Sequence, residues 1–178
     1  MKKKVLSIVA VVLVLCCAIG GTLAWLTAKT APVVNTFTVG DINIELAESE
    51  NLDLKMVPGN TITKDPKVTV KANSEACWLF VKVEKSANFD SFMTYDMADG
   101  WTELPSVAGV YYREVAATTA ATDFSVLKGD SVSVMNTVTK ADLNALTQST
   151  FPTLTFTAYA VQKDNVATAA DAWAKANA

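Results

Sequence analysis

The chain has 178 residues, with 18 acidic against 15 basic side chains, enough for one domain with a real core. An acidic balance argues against nucleic acid or an anionic membrane surface as a partner, since both want a basic patch. The chain contains no histidine, which excludes a Ser-His-Asp or Cys-His centre, an HExxH zinc motif and any histidine-based pH switch.

Residues 1–4 form a positive opening, residues 5–19 are apolar except for Ser7, and Gly20-Gly21 breaks the helix. Thr22 and Ala24 then place small residues before Trp25 at the positions a signal peptidase favours. The expectation is a signal peptide over residues 1–24, cut between Ala24 and Trp25. An uncleaved anchor is the competing reading, since residues 5–26 would just span a bilayer; the glycine pair and the Thr-x-Ala site favour cleavage. The membrane is then met only through the uncleaved signal. A lipoprotein site is disfavoured because Leu15, not a small residue, precedes Cys16. Cleavage removes Lys2, Lys3 and Lys4 and leaves 12 basic against 18 acidic residues, about −6. It also removes Cys16 and Cys17, so Cys77 stands alone and no internal disulfide can form. Cys77 reads as a small buried hydrophobe rather than a reactive thiol.

Residues 25–39 read as an extended N-terminal segment and residues 40–178 as the folded domain. Strand character begins near Asn35, but its alternation changes phase. Phe37 and Val39 are apolar at odd positions, Ile42, Ile44 and Leu46 at even ones, with the switch at Gly40-Asp41. A period of two cannot skip a beat without an extra residue, so Gly40 is a candidate bulge, or a seam where one strand ends and a donated one begins.

This opening resembles the TasA/camelysin proteins of Gram-positive bacteria. The resemblance lies in Gly20-Gly21-Thr22-Leu23-Ala24-Trp25-Leu26-Thr27 followed by Asn35-Thr36-Phe37-Thr38-Val39-Gly40. Val57-Pro58-Gly59 and the late strand at residues 154–162 are similar with less specificity. Two features depart from the pattern: Trp25 stands where Tyr or Phe is usual, and Thr27-Ala28-Lys29 replaces a nearby acidic residue. The resemblance implies release by a SipW-type signal peptidase, a secreted or surface-associated location, a jelly-roll-like β-sandwich, and a structural role in biofilm matrix fibres.

Along the rest of the chain, residues 52–57 suggest a short strand closed by Pro58-Gly59. Val68 and Val70 alternate with Lys67, Thr69 and Lys71 in a half-buried strand. Residues 76–85 give the strongest strand, with Cys77, Leu79, Val81 and Val83 on one face and Trp78 and Phe80 on the other. Asp99-Gly100 suggests a hairpin of residues 93–97 with 101–104. The aromatics of residues 88–104 read mainly as packing, and their aspartates as solvated turn acids lacking EF-hand order. Residues 109–115 form a Tyr-rich strand, and residues 124–127 and 131–138 suggest a second hairpin about Lys128-Gly129-Asp130. Thr139-x-x-Asp142 has capping-box spacing for a short helix, Leu154, Phe156 and Ala158 alternate in a late strand, and residues 169–176 form an Ala-rich helix.

The expected fold is mainly β, a single antiparallel sandwich with one or two short helices. The expected function is a fibre subunit that polymerises with itself by donating a strand carrying Val34, Phe37, Val39 and Gly40. The alternative is a monomeric binding module for a glycan or protein. No catalytic residue, metal or cofactor is assigned. A metalloprotease-like activity is disfavoured, because zinc would have only Asp, Glu and Cys77 as ligands.

Overall fold

The structure, a computed structural model, describes residues 40–49, 54–105 and 107–176. Ten strands run in chain order as β1 (Ile44–Ala47), β2 (Thr61–Thr63), β3 (Lys67–Val70), β4 (Cys77–Lys85), β5 (Met93–Thr94), β6 (Thr102–Glu103), β7 (Val110–Val115), β8 (Thr122–Ser125), β9 (Ser131–Val134) and β10 (Leu154–Gln162). Three short helices interrupt them: α1 (Phe89–Phe92), α2 (Lys140–Asn144) and α3 (Ala169–Ala176). Every strand pairing is antiparallel. The sheets have the orders β1-β3-β8, β10-β4-β7-β6 and β2-β9-β5. This is the expected mainly β antiparallel sandwich with few short helices, three among the described residues.

Side-chain alternation explains the layers. In β3, Val68 and Val70 are fully buried while Lys67 and Thr69 lie outside the core. In β9, Val132 and Val134 do the same. They share one core with Cys77, Leu79, Val81 and Val83, the odd positions of β4. A period of two sends all of these to one face.

The even positions of β4 are buried as well, which makes β4 central on both faces. Trp78 and Phe80 lie in a second cluster with Val166, Ala169 and Ala172. The indole N–H of Trp78 donates to the Val166 carbonyl at 3.0 Å. Small residues at Ala169 and Ala172 let α3 lie close against the sheet, and the Trp173 ring comes within 5.3 Å of Phe80 and 5.2 Å of Tyr159. The hydroxyl of Thr168 caps α3, accepting from the Asp171 N–H at 3.1 Å. The four-stranded sheet is thus covered by strands on one side and by α3 on the other.

Two local expectations differ from the structure. The turn at Asp99-Gly100 forms, with Gly100 at φ 89°, but β5 pairs with β9 and β6 with β7. Likewise β8 and β9 do not form a hairpin: β8 pairs with β3, and β9 with β2 and β5. The reason is at Val126 and Leu127, both fully buried. Burying two consecutive side chains requires the chain to leave one sheet and enter another. The Val126 N–H donates to the Pro66 carbonyl at 2.9 Å, and Leu127 bridges Met97. At residues 54–57 no strand forms; residues 50–53 lie outside the described region. The capping box does form: Thr139 and Asp142 exchange hydrogen bonds at the start of α2, which closes at Asn144.

Candidate functional site

Of the residues expected to carry cleavage and assembly, Thr22, Ala24, Trp25, Val34, Phe37 and Val39 lie outside the described residues. Gly40 is described. It sits in irregular chain before β1, and a Cβ placed on it would lie 2.9 Å from Glu75 Cγ. The Glu75 N–H donates to the Asp41 carbonyl at 3.0 Å. Gly40 and Asp41 therefore lie beside Glu75, at the end of β4 marked by the Cys77–Gln162 pair.

The opposite end of β4, marked by the Lys85–Leu154 pair, holds an apolar groove of about 610 Å³. Its floor is Ile62 of β2, Val132 of β9, Met93 of β5 and Phe89 of α1, each under 10% exposed. Its walls include Met56, Leu143, Pro152 and Leu154. At its rim stand Leu54 and Phe151, 56% and 48% exposed. Leu54, Phe151 and Val57 are the exposed large hydrophobics among the described residues, and the first two border the groove. Such a concentration marks an interaction surface more often than chance exposure does.

The polar groups around the groove are ordered. Lys64 Nζ binds both carboxylate oxygens of Glu48, at 2.7 and 2.9 Å, and lies 5.6 Å from the Phe156 ring centroid. The side chain of Asp65 accepts from Ser49 N and Oγ, which holds its carboxyl below the usual range. These contacts tie the end of β1 to the groove. β2 is an edge strand, with β9 on one side and no strand on the other among the described residues.

A second, polar cleft of about 440 Å³ lies between Tyr95, Asp96, Met97 and Tyr111. Burial and the neighbouring Tyr111 push the Tyr95 phenol up, and Asp90 is paired with Lys85 at 2.7 Å. The other aromatics of this stretch pack inward: Phe89 is buried, and the Trp101 N–H donates to the Ser125 carbonyl at 2.9 Å. Sequence reasoning missed the groove because its lining comes from distant segments. The one local signal was Phe151-Pro152, an aromatic–proline pair outside any alternating run.

Residues 1–85 match the family model of camelysin metallo-endopeptidases. No curated protein and no solved structure matches the chain. The family's name implies a metal, but the described residues do not offer the donor set of a catalytic metal centre. There is no histidine, and among the described residues no three His, Cys, Asp or Glu side chains gather in a metal-binding group. Burial pushes the Cys77 thiol up to about 11, away from the thiolate a metal needs. The match spans Gly40 and the strands through β4, and over residues 1–85 the chain is similar to the camelysin family.

Proposed function

We propose that the protein is a secreted structural subunit of an extracellular matrix, released by signal cleavage and polymerising head to tail by strand donation. The observation that carries this reading is the placement of Gly40 and the groove at opposite ends of β4. Nine residues of extended chain separate them, roughly 30 Å at about 3.3 Å per residue. The apolar part of the donor, Val34, Phe37 and Val39, immediately precedes Gly40. It would have to double back along the whole sandwich to reach its own groove. In a head-to-tail arrangement a neighbour's groove abuts the Gly40 end, and the donor continues straight into it.

The open edge of β2 beside the groove suits this mode. Backbone hydrogen bonds to the edge give affinity, and alternate donor side chains fill the apolar floor. A contact between two different surfaces does not close on itself and generates fibres. The family match over residues 1–85 supports a matrix role, and cleavage after Ala24 would free the donor from the membrane.

The test is negative-stain microscopy of the secreted protein, its N-terminus first confirmed as Trp25. Filaments are expected, and deletion of residues 25–39 should abolish them while leaving a folded monomer. Filaments that persist in the truncated protein would sink strand donation. A soluble, monodisperse wild type would favour the binding-module alternative.

A further inference from the structure

We propose that Met56 is a redox-sensitive switch on the apolar groove: a peroxide converts its thioether to a sulfoxide, and the polar product makes the groove a poor acceptor for the donor strand. The consequence for assembly rests on the strand-donation reading above; the chemistry at Met56 does not.

The oxidisable sulfurs of the described residues are those of Cys77, Met56, Met93, Met97 and Met135. Their surroundings separate them. Cys77 is fully buried and its thiol is held protonated, so it does not supply the reactive thiolate. Met93 lines the groove but is 7% exposed and belongs to β5, paired with Val134. An oxidant reaches it only when that pairing opens. Met97 borders the separate polar cleft, and Met135 lines neither cavity. Met56 is the groove-lining sulfur that is half-buried and outside any strand. Its neighbours Leu54 and Val57 are exposed, and the chain turns just after it, with the Asn60 N–H donating to the Val57 carbonyl at 3.0 Å. Oxidation follows exposure, so Met56 reacts without any strand being opened.

The reaction needs no side chain as acid or base. A lone pair of Sδ attacks the outer oxygen of the peroxide, the O–O bond breaks and an S–O bond forms. Sulfur loses two electrons and the peroxide gains them. The proton on the transferred oxygen passes to the departing one, which leaves as water, or as an alcohol from an organic hydroperoxide. The product carries a strong hydrogen-bond acceptor in place of a soft apolar atom. The side chains of Ile62, Phe89 and Val132 on the groove floor offer it no donor, and neither do Val34, Phe37 and Val39 of the donor segment. Covering that oxygen leaves it unsatisfied, which should weaken strand binding about tenfold or more. Enzymatic reduction of the sulfoxide returns the thioether, so the switch is reversible.

The test treats the cleaved protein, starting at Trp25, with dilute hydrogen peroxide. Peptide mapping should find Met56 oxidised well before Met93. Two readouts follow the groove: fluorescence of the neutral apolar probe Nile red, and filaments by light scattering and microscopy. Both should fall as Met56 sulfoxide accumulates, with the concentration needed for assembly rising about tenfold. Treatment with methionine sulfoxide reductases A and B should restore both. Met56→Leu, whatever its own starting level, should not respond to peroxide, whereas Met97→Leu and Met135→Leu should respond as the wild type does. The proposal is overturned if Met56 resists oxidation in the folded protein, if full conversion of Met56 leaves Nile red binding unchanged, or if Met56→Leu stays sensitive. An untreated wild type that never forms filaments would count against strand donation alone, and Nile red would still decide whether the switch exists.

Discussion

The guanidinium carbon of Arg113 lies 4.2 Å from the centroid of the Phe124 ring. The Trp101 ring centroid stands at 5.3 Å from the same carbon. Arg113 belongs to β7 and Phe124 to β8, so the stack joins two sheets. Burial pulls the guanidinium pKa below its ordinary value, and Nε has no hydrogen-bond partner among the described residues. The side chain therefore stabilises by stacking and by the packing of its stem, not by ion pairing. Arg113→Ala should cost about 1–3 kcal/mol in urea unfolding, from a lost cation–π contact and lost stem packing. Arg113→Met, which keeps the stem and removes the orphaned Nε, should cost less than Arg113→Lys, which loses the planar stack. The reverse order would mean that charge, not shape, is what the site uses.

Gly109 has φ 74°, and a Cβ there would meet the Val83 carbonyl oxygen at 2.7 Å. The same turn carries the bond from the Val83 N–H to the Gly109 carbonyl, at 2.7 Å. Gly109→Ala combines backbone strain with a clash against backbone, and should cost about 3 kcal/mol or more. Gly129 has a similar φ of 63°, but its nearest neighbour would be Ser131 Oγ at 3.7 Å. Gly129→Ala should cost only about 1 kcal/mol. Paired denaturation curves test the contrast.

Cys77 is fully buried, and desolvation raises its thiol from 9.0 to about 11. The unfolded thiol ionises first as pH rises, so the folded state holds more protons between about 9 and about 11. Stability should fall across that window by about 2–3 kcal/mol from this group. Cys77→Ala should flatten that part of the profile. At pH 8 a thiol reagent should label the native protein only at the rate of unfolding.

The Thr139 hydroxyl, and then its backbone N–H, hold the Asp142 carboxyl below its usual value. A lowered carboxyl contributes stability above its unfolded pKa and loses it as pH falls through the folded one. The amides of α2 should therefore lose protection, relative to their intrinsic exchange rates, below the ordinary carboxylate range. Thr139→Val should bring that loss to higher pH and return the Asp142 titration toward normal. Because α2 carries Leu143, a groove-lining residue, probe binding in the groove should weaken in parallel.

Strand identity was legible where burial follows a period of two. Lys67–Val70 was readable from alternation alone, whereas Cys77–Lys85 was readable from its apolar run, buried on both faces. The cap at Thr139 was legible because capping is local chemistry within four residues. Pairing was not legible at Asp99-Gly100 or at Lys128-Gly129-Asp130. A turn signal reports that the chain reverses, not which strand lies beside it afterwards. What redirected the chain was the burial of Val126 and Leu127, a tertiary fact that consecutive apolar residues do not disclose. The groove escaped for the same reason, since Ile62, Phe89, Val132 and Phe151 come from two strands, a helix and a loop that meet only in the folded chain. The second role of Trp78 and Phe80 was half visible: their bulk on the far face of β4 required a cover, and α3 supplies it.

The separation of Gly40 and the groove along β4 has a consequence for growth. A row of copies joined through these two features has unlike termini, one showing a vacant groove and the other an unused tail. Elongation at the first consumes an incoming tail; at the second it consumes an incoming groove. A copy lacking residues 25–39 retains the groove alone, so it can occupy the tail-bearing terminus and halt addition there while the other continues. Substoichiometric amounts of such a copy would thus convert two-ended growth into one-ended growth, visible as a single elongating tip on a seeded filament.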